Sequence, residues 1–495
     1  MTTESETTTS WKTLDKDLNR ISQVEYATQY VSRPLIGSGI AFAFIVVAAL
    51  GAAVVFAGAE GSVFVIAAAA FGAYMALNIG ANDVANNMGP AVGARALTMG
   101  GAIVIAAICE SAGALLAGGD VVSTISKGII DPDSVQDSRT FVWAMMAALI
   151  SAALWINLAT WVGAPVSTTH SVVGGVMGAG IAAAGLSAVN WPTMGAIAAS
   201  WVISPMLGGL IAALFLAFIK SQIIYQDDKI AAARRWVPVL VGIMAGAFAS
   251  YLALKGLKKV VKIDLMTALM IGAAIGALAY VVTAPLIRRQ SRGMENRNKS
   301  LKTLFGLPLV ISAGLLSFAH GANDVANAVG PLAAIVHTEA FGEFAGKVSI
   351  PLWVMVIGAL GISFGLVLFG PKLIRMVGSQ ITKLNPMRAY CVALSAAITV
   401  IVASWLGLPV SSTHIAVGAV FGVGFFREWD HARRGRRSAA HADRPAKTIA
   451  PEERRRRKLV RRSHFMTVVA AWVITVPAAA TLSGVIFAAM TYLFD

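Results

Sequence analysis

Two carboxylates stand inside apolar sequence, each flanked by asparagines. Gly80-Ala81-Asn82-Asp83-Val84-Ala85-Asn86 returns 241 positions later as Gly321-Ala322-Asn323-Asp324-Val325-Ala326-Asn327, and each copy runs into Gly-Pro, at Gly89-Pro90 and Gly330-Pro331. An Asp at the centre of a membrane helix costs roughly 2.5–3.5 kcal/mol, so Asp83 and Asp324 require cations, protons or hydrogen-bond donors beside them. Positions i and i+3 of a helix share a face, which aims Asp83 and Asn86 in one direction and Asp324 and Asn327 in another. Clusters built only of oxygens suit hard cations, and neither Cys109 nor Cys391 suggests a transition-metal site. The bland alternative is that these side chains stitch helices together or cap a broken one; recurrence of the whole septet speaks against it.

A second string has another character. Pro165-Val166-Ser167-Thr168-Thr169-His170 returns as Pro409-Val410-Ser411-Ser412-Thr413-His414, 244 positions on. Proline suits the start of a helix and Ser/Thr cap it, while the free N–H groups of a first turn attract an anion. The hydroxyls of Ser167, Thr168, Thr169, Ser411, Ser412 and Thr413 add donors, so two such turns facing each other can enclose a tetrahedral oxyanion. Simple capping of a discontinuous helix is the alternative. His170 and His414 read as structural hydrogen-bonders before proton relays. Glu110 lies in the apolar run 99–118 without an acidic counterpart near position 351, so it is either functional or paired with a neighbour. Neither duplicated motif contains Arg or Lys. Helix ends supply only about half a charge each, so an oxyanion beside two carboxylates calls for cations that enter with it. That is the logic of symport.

The elements that must position these groups follow from composition. The 495 residues are 57% hydrophobic and 13% charged, with mean hydropathy +0.72, which excludes an ordinary water-soluble domain, a disordered chain and a disulfide scaffold. We expect an all-α polytopic membrane protein of 11–13 transmembrane or re-entrant helices arranged as two inverted repeats. The runs at 165–188 and 409–426 start with Pro and are expected to be re-entrant or broken. A weaker third pair, Trp201-Val202-Ile203-Ser204-Pro205 against Trp472-Val473-Ile474-Thr475 with Pro477, keeps the same order. The expected organisation is a polar cytoplasmic tail at 1–33, a first repeat at 34–219, linker helices and basic loops at 220–303, and a second repeat at 304–495.

The formal charge of +15 does not indicate nucleic-acid binding. Residues 427–462 hold 14 Lys/Arg against 5 Asp/Glu, a net of +9, and this basic segment, 427–463, reads as a cytoplasmic loop inserted into the second repeat. With it inside, 220–235, 288–302 and 371–388 are also inside, and the acidic segment carrying Asp120, Asp131, Asp133 and Asp137 is outside. The first Asn-Asp motif then falls at the inner end of its helix and the second at the outer end. One cluster disagrees, since Lys255, Lys258, Lys259 and Lys262 fall outside. No cleavable signal peptide is expected, because the chain begins with roughly 33 polar residues.

The two Asn-Asp septets with Gly-Pro after them, and the two Pro-Val-Ser-(Thr/Ser)-Thr-His runs, resemble the inorganic phosphate transporter (PiT) family. Ile108-Cys109-Glu110-Ser111 and Lys127-Gly128-Ile129-Ile130-Asp131 are similar to its sodium-coupled members. The resemblance covers most of 62–493. It implies a secondary carrier of the plasma membrane, likewise a homodimer, with phosphate at Ser167, Thr168, Thr169, Ser411, Ser412 and Thr413. It implies sodium at Asn82, Asp83, Asn86, Asn323, Asp324 and Asn327, with Glu110 matching a family glutamate. No organic cofactor is expected. Proton coupling and sulfate transport are the alternatives within that family. A membrane-embedded hydrolase is disfavoured, because His170 and Thr169 are adjacent on one helix and do not face each other. A sensor that binds phosphate without moving it is the remaining alternative.

Overall fold

The computed structural model describes residues 35–58, 61–131, 134–135, 137–162, 166–255, 263–342, 350–380, 384–442 and 462–494. The expected tail 1–33, Pro165, the lysines at 258, 259 and 262, and the far part of the basic segment lie outside them. Among the described residues, 11 helices are long and apolar enough to cross a membrane.

Residues 35–219 form α1 (Leu35–Val55), α2 (Ser62–Asn82), α3 (Val84–Gly93), α4 (Met99–Ala117), the short α5 (Gly119–Ser123), α6 (Ser138–Val162), α7 (Thr168–Ala184) and α8 (Trp191–Ile219). Residues 229–304 form α9 (Lys229–Lys255), α10 (Leu265–Gln290) and α11 (Asn298–Leu304). After them come α12 (Gly306–Asp324), α13 (Ala326–Phe341), α14 (Leu352–Gln380), α15 (Pro386–Trp405), α16 (Ser412–Ala442) and α17 (Arg462–Phe494).

Three features differ from the sequence expectation. The Asn-Asp motifs do not end their helices: α2 and α3 form one run, Ser62–Gly93, interrupted at Asp83, and α12 and α13 form Gly306–Phe341, interrupted at Val325. The turn tightens at each interruption, where Asn86 N–H reaches Asp83 O (3.0 Å) and Ala328 N–H reaches Val325 O (3.1 Å), three residues back instead of four. The basic segment does not begin as a loop, because α16 continues as helix through residue 442. The third difference is the counterpart of Glu110.

Contacts come in mirrored pairs. A Cβ at Gly321 would run into the backbone of Glu110, and one at Gly80 into that of Ile362; likewise Gly113 meets Phe318 and Gly365 meets Leu77. The crossing of α12 over α4 is thus repeated by α2 over α14, with α4 and α14 related by 252 positions. At the meeting of these two, Ser111 Oγ lies 2.8 Å from Ser363 Oγ, with Ala107 O 3.1 Å from Ser363 Oγ and Ala359 O 3.5 Å from Ser111 Oγ; one hydroxyl donates to the other, which donates to its own carbonyl acceptor. Such self-complementary pairing is what an approximate two-fold axis produces. It places Ile362, not a residue near 351, opposite Glu110. Further out, Gly174 and Gly178 of α7 abut Val476 and Ala480 of α17, as Gly418 and Gly422 of α16 abut Pro205 and Gly209 of α8.

Within a bilayer no hydrophobic force drives helices together, so close backbone approach through small residues carries the association. Gly321→Val should therefore separate α12 from α4 and lower both the yield of monodisperse protein and its melting temperature in detergent. Gly100→Val, with open space around it, is the control.

Candidate functional site

The two interruptions and the starts of α7 and α16 converge on one buried chamber. None of the thirteen expected site residues is more than 4% exposed, so their polar atoms are shielded from bulk solvent. Asp83 and the two turns meet directly: Thr168 Oγ1 donates to Asp83 Oδ2 (2.6 Å) and Thr413 Oγ1 donates to Asp83 Oδ1 (3.0 Å). On the other side Ser412 Oγ donates to Asp324 Oδ2 (2.9 Å).

The asparagines tie the halves to each other. Asn86 Nδ2 donates to Thr413 Oγ1 (2.9 Å), and Asn327 Nδ2 donates to Thr169 Oγ1 (3.1 Å) and Thr168 Oγ1 (3.3 Å). Thr169 Oγ1 in turn donates to Val410 O in the opposite turn (3.0 Å). Asn82 Nδ2 reaches Thr160 Oγ1 (2.9 Å), mirrored by Asn323 Nδ2 on Ser404 Oγ (3.0 Å). Ser167 and Ser411 cap α7 and α16, accepting from the N–H of His170 (3.1 Å) and His414 (3.3 Å). The N–H groups of Thr168, Thr169, Ser412 and Thr413 have no intrahelical acceptor, as in any first turn. His170 and His414 pack ring to ring, edge to face at 4.4 Å, with Trp201 against His170.

Oxygens are left over. Asn82 Oδ1, Asn87 Oδ1, Asp324 Oδ1 and Asn327 Oδ1 are buried, and no hydrogen-bond donor among the described residues reaches them. Pro90 and Pro331 also lack the N–H that would return to the carbonyls of Asn86 and Asn327, four residues back. Unsatisfied buried acceptors cost about 1–3 kcal/mol each, so their concentration here fits hard cations better than a purely structural hydrogen-bond network.

Glu110 joins the chamber through a residue that the motif reading did not single out. His320 Nδ1 lies 2.6 Å from Glu110 Oε2, and His320 Nε2 lies 2.7 Å from Asp324 Oδ2. Asn87 Nδ2 donates to the other Glu110 oxygen (2.9 Å). Ligating atoms of Asp83, His320 and Asp324 all lie within 4.8 Å of one another. The motifs hold no Arg or Lys, but the chamber they form does hold a basic side chain. His320 stands immediately before the second septet and its equivalent in the first half is Ile79, which is why duplication gave no signal for it. A histidine four residues before a buried Asp on the same helix face was the available clue.

The chain matches the phosphate transporter family over residues 79–483. It is 44% identical to a Helicobacter pylori protein provisionally named a phosphate permease, covering 96% of this chain and 99% of that one. It is 37% identical to the inorganic phosphate transporter 2-1, chloroplastic, of Arabidopsis thaliana, over 83% of this chain and 70% of that one. A solved structure described as the sodium-dependent phosphate transporter superposes with a TM-score of 0.77 at 34% identity, covering 87% of this chain and all of that one. With these matches spanning most of its length, the chain belongs to the phosphate transporter family and is a multi-pass membrane transporter, not an enzyme.

Proposed function

We propose that the protein is a sodium-coupled symporter of inorganic phosphate, working by alternating access at the interface of two inverted repeats. The observation that carries this reading is the sharing of donors between the two motif types. Thr168, Ser412 and Thr413, the hydroxyls suited to an oxyanion, donate to Asp83 and Asp324. A sodium ion on either carboxylate takes the place of those donors and frees them for phosphate, so each ligand raises the affinity of the other by the same factor. Sodium would be held by Asp83, Asp324, Asn82, Asn86, Asn323 and Asn327, with Glu110 acting through His320. Phosphate would meet Ser167, Thr168, Thr169, Ser411, Ser412 and Thr413 and the free N–H groups of both turns. The solved relative's description as sodium-dependent favours sodium over protons. The proposal places the carrier in the plasma membrane as a homodimer.

The test is phosphate uptake into proteoliposomes under an imposed sodium gradient compared with an imposed pH gradient. Sodium-driven accumulation is expected; accumulation driven by the pH gradient without sodium overturns the coupling assignment. Ser167→Ala combined with Ser411→Ala should raise the KM for phosphate more than either change alone. Each lost cap also costs about 1 kcal/mol of helix stability, so the kinetics are to be read beside a melting curve. An unchanged KM in the double variant removes these hydroxyls from the anion site.

A further inference from the structure

The two halves of the chamber are not approached alike. On one side a cavity of about 400 Å³ opens between α1, α2, α6 and α14, lined among others by Ser38, Tyr74, Asn78, Asn157, Thr160 and Lys372. Its floor is a polar ladder. Asn157 Nδ2 donates to Asn78 Oδ1 (3.2 Å), and one helical turn deeper Asn82 Nδ2 donates to Thr160 Oγ1 (2.9 Å), next to Asp83.

The second half repeats only the deeper rung, as Asn323 on Ser404. In the register that pairs these rungs, Asn78 becomes Ala319 and Asn157 becomes Ile401. The space is closed there by Phe318, packed edge to face on Phe248 of linker helix α9 at 4.9 Å, with Tyr251 and Ile401 in the same cluster. Polar groups facing a cavity on one side and an aromatic seal on the other make the approaches chemically unequal. An ion that has shed its water can be rehydrated along the first and not along the second. The positive-inside rule assigns the Lys372 end to the cytoplasm, together with Arg375 and Arg388.

We propose that this cavity is the cytoplasmic portal and that Lys372, which lines it together with Asn78 and Asn157, forms a staging site for the phosphate oxyanion between the chamber and the cell interior. An exposed ammonium at the rim of the cavity attracts the anion and releases it again, which is what an exit requires. The α9 aromatics seal the opposite approach. This inference rests on the phosphate reading.

Two experiments test it. In membrane vesicles of either orientation, Lys372→Glu should raise the KM for phosphate presented at the cytoplasmic face about tenfold, leave the KM at the outer face within about twofold, and be rescued by Lys372→Arg. Equal KM values to wild type at both faces, or a rise at the outer face alone, overturn the staging site. In a chain carrying Cys109→Ser, Asn157→Cys should react with a membrane-impermeant thiol reagent from the cytoplasmic face only and be slowed by phosphate, while Ile401→Cys should resist it from both faces. Labelling of Asn157→Cys from the outer face, or from neither, overturns the portal. If wild-type vesicles move no phosphate, the functional reading fails, and the labelling pattern still decides the portal on its own.

Discussion

Asp83→Asn and Asp324→Asn should each lower sodium-driven phosphate uptake by at least about a hundredfold while the protein still inserts and elutes as a single species. The size follows from charge. Removing one partner of a buried charged pair costs about 3–5 kcal/mol, and each 1.4 kcal/mol is a factor of ten, so losing one carboxylate's hold on a dehydrated cation reaches that range at its lower end. The substitution keeps the shape of the side chain, so the broken runs Ser62–Gly93 and Gly306–Phe341 have no packing reason to rearrange. The hydroxyls of Thr168 and Thr413, which now donate to Asp83, would meet an amide that accepts through one atom only. One of the two is then released for phosphate whether or not sodium is bound. The diagnostic signature is therefore loss of sodium dependence in phosphate binding, beyond loss of transport. Wild-type uptake in either variant, measured over a full sodium titration, would remove these carboxylates from the cation site.

The duplicated septets and the duplicated Ser/Thr turns were legible in the sequence because each is a short string of unusual residues in apolar surroundings, and the structure does bring all of them into one chamber. What stayed hidden was whatever breaks the duplication. Glu110 found no acidic counterpart because the distance between equivalent positions changes along the chain, from 241 at the septets to 252 at α4 and α14, and because the true counterpart is Ile362. His320 escaped for the same reason, standing where the first half has Ile79. The interruption within the Asn-Asp runs was legible only as the lesser alternative of a broken helix, since Gly, Asn and Asp are poor helix formers but suit an ion site equally well; the tightened turn and the following Pro mark it. The Ser111–Ser363 contact could not be foreseen either, because two single serines 252 positions apart carry no pattern until the crossing of α4 and α14 is known.

His320→Ala should be the most destabilising single change in the chamber. His320 is buried between Glu110 and Asp324, with ring nitrogens 2.6 and 2.7 Å from their oxygens. Deleting the ring leaves two carboxyl groups facing a cavity, and breaking a buried pair in this way costs about 3–5 kcal/mol. A clear drop in melting temperature in detergent is expected, with wild-type melting as the refuting result. The first half shows how the same place is built without charge, since Ile79 and Ile362 occupy the equivalent positions. Copying that solution as Glu110→Ile with His320→Ile replaces the Glu-His pair by an aliphatic one, and such exchanges are often neutral or favourable to stability. The double variant should therefore melt clearly above His320→Ala but below wild type, because Asp324 still loses His320 and the Asn87 amide loses Glu110. Transport should not recover with it, because Asp324 Oδ2 has then lost the basic one of its two partners, His320 and Ser412, and with it the charge that sets the carboxylate for the cation. Full sodium-coupled uptake in the double variant would mean that Glu110 and His320 only hold helices together. Partly restored stability without restored uptake separates a role in the ion site from a role in the fold, and the asymmetry between the halves becomes functional rather than incidental.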